Sequence, residues 1–333
     1  MSDGLSPAAA ARLRRFFAAL ALAAAALTTI VIVASAFMRH TQAGLGCADW
    51  PACYARIASE VPGAVPSTGV HVARIAHRFA ATGALALILG MLLVAWTQRP
   101  VWRREGLLAL AALAVAAGLA VLGIFTPGSR LPAVTLGNLL GGYLLLAVLA
   151  ALVATAGNAS AAPVLPLSGV PPLRLIALAI LALVFAQAAL GGMIGAQFAL
   201  TACPTLGKCA GFPFDEFRVG EAFDALRPLV VVGDHAVPPA GAAAPFVIHR
   251  VLGLVVAVVA LVLAHALRRP QPRAAFALVM LALAAPLLGA ATILALPSLP
   301  LTVLHNAAAA ALIAALAWVS ADTGGRDRPA VRS

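Results

Sequence analysis

Seven histidines and four cysteines hold most of the metal-binding and redox chemistry open to this 333-residue sequence. The cysteines form two pairs, Cys47/Cys53 and Cys203/Cys209, each spaced C-x5-C. His77 and His249 are each followed by an arginine, Arg78 and Arg250, and His305 stands alone in a later apolar stretch. An imidazole can ligate a metal, take an axial position on heme iron or move a proton. A pair of thiols can close a disulfide, hold a metal or exchange with another dithiol. Which of these applies depends on the elements that carry the residues.

Those elements are membrane spans. The composition is 63% hydrophobic and 10% charged, too apolar for any surface facing water. A bilayer crossing needs roughly 20 apolar helical residues. Eight blocks reach that length: 16–38, 71–96, 105–125, 133–157, 175–195, 245–267, 274–296 and 301–320. The first is long and lacks a convincing cleavage site, so it reads as a retained helix rather than a signal peptide.

A net charge of +11 suggests nucleic acid until the charges are placed. Arg12, Arg14 and Arg15 precede the first span; Arg99, Arg103 and Arg104 follow the second. Arg268, Arg269 and Arg273 follow the sixth, and Arg326, Arg328 and Arg332 end the chain. With alternating spans all four clusters share one side, and the positive-inside rule predicts both termini in the cytoplasm. Seven of the eleven carboxylates (Asp49, Glu60, Asp215, Glu216, Glu221, Asp224, Asp234) fall in two long loops opposite. The charge reports topology, and nucleic-acid binding is not expected.

The loops repeat: long (39–70), short (126–132), then long (196–244), short (297–300). Residues 158–174, rich in Pro, Ala and Ser, read as a cytoplasmic linker between halves 1–157 and 175–333. Four spans per half predict an all-α membrane protein made of two parallel-repeat four-helix bundles, unlike the inverted repeats of many transporters. Each long loop carries one cysteine pair and leads to one His-Arg pair, as a duplication would give.

On the oxidising side of a membrane the four cysteines suit two disulfides, with reactive dithiols as the alternative. Zinc sites space their cysteines more tightly and add ligands, so metal fits poorly. His77, His249 and His305 lie about four to six residues inside their spans, roughly 6–10 Å below the outer boundary. One such histidine is readily a hydrogen-bonded core residue; three at matching depth point to a ligand site. Four-helix bundles build cofactor sites from facing helices, and heme suits such histidines. His249 and His305 together would ligate one heme, with Arg250 beside a propionate and Arg78 in the same role in the first half. In the first half Asn138 stands where a second histidine would, leaving His77 as the lone imidazole. His40 and His71 are shallower candidates; His235 is placed in a loop, and His265 at the cytoplasmic end of its span.

Residues Met38-Arg39-His40-Thr41-Gln42-Ala43-Gly44-Leu45-Gly46-Cys47-Ala48-Asp49-Trp50-Pro51-Ala52-Cys53 resemble the R-x-T-x-x-G-L-x-C-x-D-W-P-x-C pattern of the heme A synthase family. The resemblance extends in span number and repeat plan over nearly the whole chain. It implies a permanent heme b between His249 and His305. It also implies that the N-terminal half receives heme O, with heme O synthase as the expected source, and oxidises a ring methyl to a formyl group. No electron donor is implied, and the expected location is a bacterial inner membrane. Two departures fall in the N-terminal half: Asn138 replaces the family's histidine, and Arg74 its glutamate three residues before His77. Arg74, His77 and Asn138 would therefore form the altered substrate site. The competing readings are a heme-b-binding assembly factor without catalysis and a quinol-linked membrane cytochrome.

Overall fold

The computed structural model describes residues 6–56, 67–98, 101–157, 173–209, 219–295 and 297–326. Arg99, Arg328, Arg332, Glu60, Asp215, Glu216 and residues 158–172 of the expected linker lie outside the described residues. Among the described residues, eight helices are long and apolar enough to cross a membrane. They are α1 (Pro7–Gln42), α2 (Thr68–Thr97), α3 (Arg103–Phe125), α4 (Pro132–Gly157), α5 (Leu173–Ala196), α7 (Ala243–Leu267), α8 (Pro272–Leu294) and α9 (Leu299–Arg326). A short α6 (Val219–Phe223) lies in the second long loop. The chain is an all-helical, multi-pass membrane protein, as expected.

Several helices outrun the apolar blocks that marked them. α1 begins at Pro7, with the Ser6 side chain accepting from the Ala9 amide, and continues through Arg39 and His40. Helix geometry depends on backbone hydrogen bonds and caps rather than on hydropathy, so a span extends past its apolar centre.

In the first four helices α1 packs on α2 and α4, and α3 on α2 and α4. In the last four, α5 packs on α7 and α9, and α8 on α7 and α9. Each set thus closes a ring with the same neighbour order. The rings meet where α4 and α1 pack on α9, and α4 on α5. α4 is the pivot: 61% of its most apolar stretch is buried, against 11% for α3.

Hydrocarbon surroundings remove most of the hydrophobic drive between spans, so close van der Waals packing must hold them. Alanine supplies it. Ala21, Ala24, Ala95, Ala109 and Ala112 are fully buried in the first ring, beside Ile88, Met91 and Leu149. Ala177, Ala260, Leu278, Ile313 and Leu316 do the same in the second. At the end opposite the long loops, Arg14 on α1 pairs with Glu105 on α3 at 3.2 Å and lies over Trp102.

The long loops form a common outer cap. Gly44 turns the chain at φ +81°, and any Cβ there would strike the Cys53 carbonyl. Ala43, Leu45, Tyr54, Ala55 and Ala236 pack together with Trp50, Phe198 and Leu200 around them. Burial pushes the Tyr54 phenol up from the ordinary tyrosine range, against a smaller opposing effect of the Leu200 backbone. The segment read as plain loop contains a hairpin, β1 (Val230–Val232) with antiparallel β2 (His235–Val237), turning at Gly233. His235 is therefore a strand residue. Its ring meets the Ala52 carbonyl at 3.1 Å, and its backbone bridges to Arg56.

Candidate functional site

His249 on α7 and His305 on α9 face one another, with ring centroids 6.2 Å apart and planes at 79°. Each is docked on a neighbouring helix in the same way. His249 Nδ1 lies 3.1 Å from the Gln187 carbonyl on α5. His305 Nδ1 lies 2.8 Å from the Ala285 carbonyl on α8. A carbonyl oxygen can only accept, so both Nδ1 atoms carry the proton and both Nε2 atoms present a lone pair, that of His249 lying 3.4 Å from the Gln187 amide nitrogen. That tautomer is the one a metal-binding imidazole needs.

The carbonyls can be reached because glycine follows four residues later. In a helix the side chain at i+4 overhangs the carbonyl at i. A Cβ at Gly191 would stand 2.8 Å from His249 Cε1, and one at Gly289 would stand 3.0 Å from His305 Cε1. The device occurs a third time in reverse. Gln187 Nε2 donates to the His249 carbonyl at 2.8 Å, in the notch left by Gly253. The three segments read Gln187-Ala-Ala-Leu-Gly191, His249-Arg-Val-Leu-Gly253 and Ala285-Pro-Leu-Leu-Gly289. Neither Gln187 nor the glycines were identified from sequence; the shared Leu-Gly ending was the available signal.

Among the described residues no group of three or more His, Cys, Asp or Glu is placed to hold a bare metal ion. A heme requires only axial ligands from the protein. Metal–imidazole bonds of about 2 Å, with roughly 1 Å more from nitrogen to ring centre, span about the observed separation of the two rings. The donor set fits a bis-imidazole heme.

Arg250 does not face an open cavity. Its guanidinium donates to the carbonyls of Leu206 at 2.8 Å, Thr205 at 3.0 Å and Cys203 at 3.4 Å. It clasps the loop closed by Cys203 and Cys209, whose sulfurs are joined; those of Cys47 and Cys53 are joined likewise.

The first ring is arranged differently. His77 is partly buried on α2, with no hydrogen-bond partner for its ring among the described residues, and Arg74 and Arg78 are exposed. Asn138 turns away, donating to Thr126 Oγ1 at 2.7 Å and to the Val134 carbonyl at 3.1 Å. His40 sits on the seam between the rings, close enough to His305 to interact electrostatically.

Residues 71–317 match the COX15-CtaA family, described as cytochrome oxidase assembly protein. The chain belongs to this family. Within it, the heme A synthase of Shewanella oneidensis is 28% identical over 206 residues, covering 58% of this chain and 61% of that relative. The match spans about three fifths of the relative's length. His77, Asn138, His249 and His305 all fall inside the stretch typical of the cytochrome oxidase assembly proteins, whereas the Cys47–Cys53 loop precedes it.

Proposed function

We propose that this protein is a heme A synthase-type membrane oxidoreductase that converts heme O to heme A for terminal oxidase assembly. The observation that carries the reading is the matching docking of His249 and His305, each through Nδ1 on a carbonyl of a neighbouring helix. Two imidazoles with protonated Nδ1 and unprotonated Nε2 are prepared to hold one iron. Heme b would be held there by those two residues and would supply one-electron redox chemistry. The chain's own contribution is positional. Gln187 and Ala285 fix the tautomers, Gly191 and Gly289 admit the rings, and the apolar helices exclude water.

Heme O would occupy the first ring, near His77, as substrate. The whole chain is read as two parallel four-helix repeats, residues 1–157 and 175–333, in a bacterial inner membrane with cytoplasmic termini. Heme O synthase is the natural source of the substrate, and the electron donor is not assigned.

Asn138 favours a second reading. Its amide nitrogen is committed to Thr126 and Val134, and an amide is a poor axial ligand, so an assembly factor holding only heme b fits that arrangement. Expression with a heme O source and chromatography of the extracted hemes separates the two. Heme A in the extract supports the synthase. Heme b alone, with supplied heme O unchanged, supports the assembly factor.

A further inference from the structure

Arg39, near the end of α1 that leads into the first long loop, is a half-buried cation with no carboxylate beside it. Its Nη2 lies 3.4 Å from Asn306 Oδ1 on α9 and 3.4 Å from His40 Nε2. Its Nε is sealed from solvent and has no hydrogen-bond partner. Arg39 takes no part in the ion pairs Arg14–Glu105, Arg56–Asp234, Arg227–Glu221 and His235–Asp234.

The surroundings are built around this charge. Asn306 directly follows His305, and its carbonyl accepts from the Tyr143 hydroxyl of α4 at 3.3 Å. Asn306 Nδ2 is engaged by the Thr302 carbonyl at 2.8 Å, which turns Oδ1 toward Arg39. Residues of α1, α4 and α9 are thus linked in one chain of contacts that ends on the guanidinium. Counting back equally from Cys47 and Cys203, the position matching Arg39 is Gly195, which carries no charge.

A guanidinium keeps its proton at any physiological pH, so Arg39 cannot relieve its partial burial by neutralising. A charge drawn partly out of water without a counter-charge is unfavourable. Its present contacts are long and go to neutral partners, far from what five donors in a fork can make. The fork matches a carboxylate, and the carboxylates of a tetrapyrrole lie on its edge. We propose that Arg39 anchors a carboxylate of the heme ligated by His249 and His305, reaching it across the seam from the other ring. This rests on the heme reading above.

The test titrates full-length protein in detergent with iron protoporphyrin IX and with its dimethyl ester, which lacks the charges. Arg39→Gln is expected to weaken binding of the diacid by about 10- to 100-fold. Binding of the diester should be unaltered and the low-spin spectrum of the bound heme retained. Arg39→Lys, which keeps charge without the fork, should fall between. Were Arg39→Gln to misfold, the Lys variant must still show a smaller diacid-to-diester preference than the unmodified protein. Equal losses for both ligands would make Arg39 structural and overturn the proposal, as would no loss for either. If the unmodified protein bound neither ligand, the heme reading itself would fall, a result distinct from the other two.

Discussion

The two helical rings share a neighbour order and differ in how they treat equivalent histidines. In the second ring each imidazole is pinned through Nδ1 to a carbonyl, with a glycine cut out to admit it. In the first, the His77 ring has no such partner among the described residues, and the opposing position is an asparagine bonded to Thr126. Two sets of four helices can therefore share a neighbour order while one fixes its histidine rings and the other leaves its histidine unpinned among the described residues. A resident cofactor needs the former, whereas a group that must enter and leave suits the latter.

The largest effect expected from breaking this contrast comes from the pinned ligands. His249→Ala or His305→Ala should abolish the low-spin heme spectrum of purified protein, and His77→Ala should leave it. Survival of the spectrum in both of the first two variants would sink the assignment. Next, Asn138→His should supply the missing imidazole. Absorption or EPR spectroscopy should then show a second low-spin heme that is lost again on His77→Ala; an unchanged spectrum would mean the first ring holds no iron. Smaller is the effect of filling a notch. Gly191→Ala or Gly289→Ala should weaken heme binding roughly 10-fold, since overpacking costs about 1–3 kcal/mol. Gly90→Ala, whose Cβ meets nothing, should change stability by under about 0.5 kcal/mol. Should all three behave alike in titration, the notches have no role in docking. Smallest is the exposed pair Arg56–Asp234 in the cap, 3.2 Å apart. Arg56→Ala should cost at most about 1 kcal/mol in denaturant melts, and a larger loss would show that the cap depends on this pair.

Much of the architecture was legible because hydrocarbon imposes a simple rule: long apolar blocks become helices. The placing of His249 and His305 near the starts of their helices followed from counting along those blocks. Their docking partners did not, since the acceptors are main-chain carbonyls that no side chain announces. Gln187 was hidden as a single amide in an alanine-rich span. The hairpin at Val230–Val237 was missed because three-residue strands are too short for alternation to stand out, although Val-Val-Val-Gly-Asp-His-Ala-Val offered a turn between β-branched residues. Arg250 was assigned by charge alone, and nothing in its sequence neighbourhood revealed that loop carbonyls would claim it.

The contact between His235 and the Ala52 carbonyl joins residues 183 positions apart. A ribosome adding about 5–20 residues per second takes roughly 10–40 s to cross that interval. The first long loop must therefore wait until four further spans, α2 to α5, have been made behind it. Only then does the hairpin arrive to close the cap, so this end of the molecule is sealed late in biosynthesis, after the first four helices are complete.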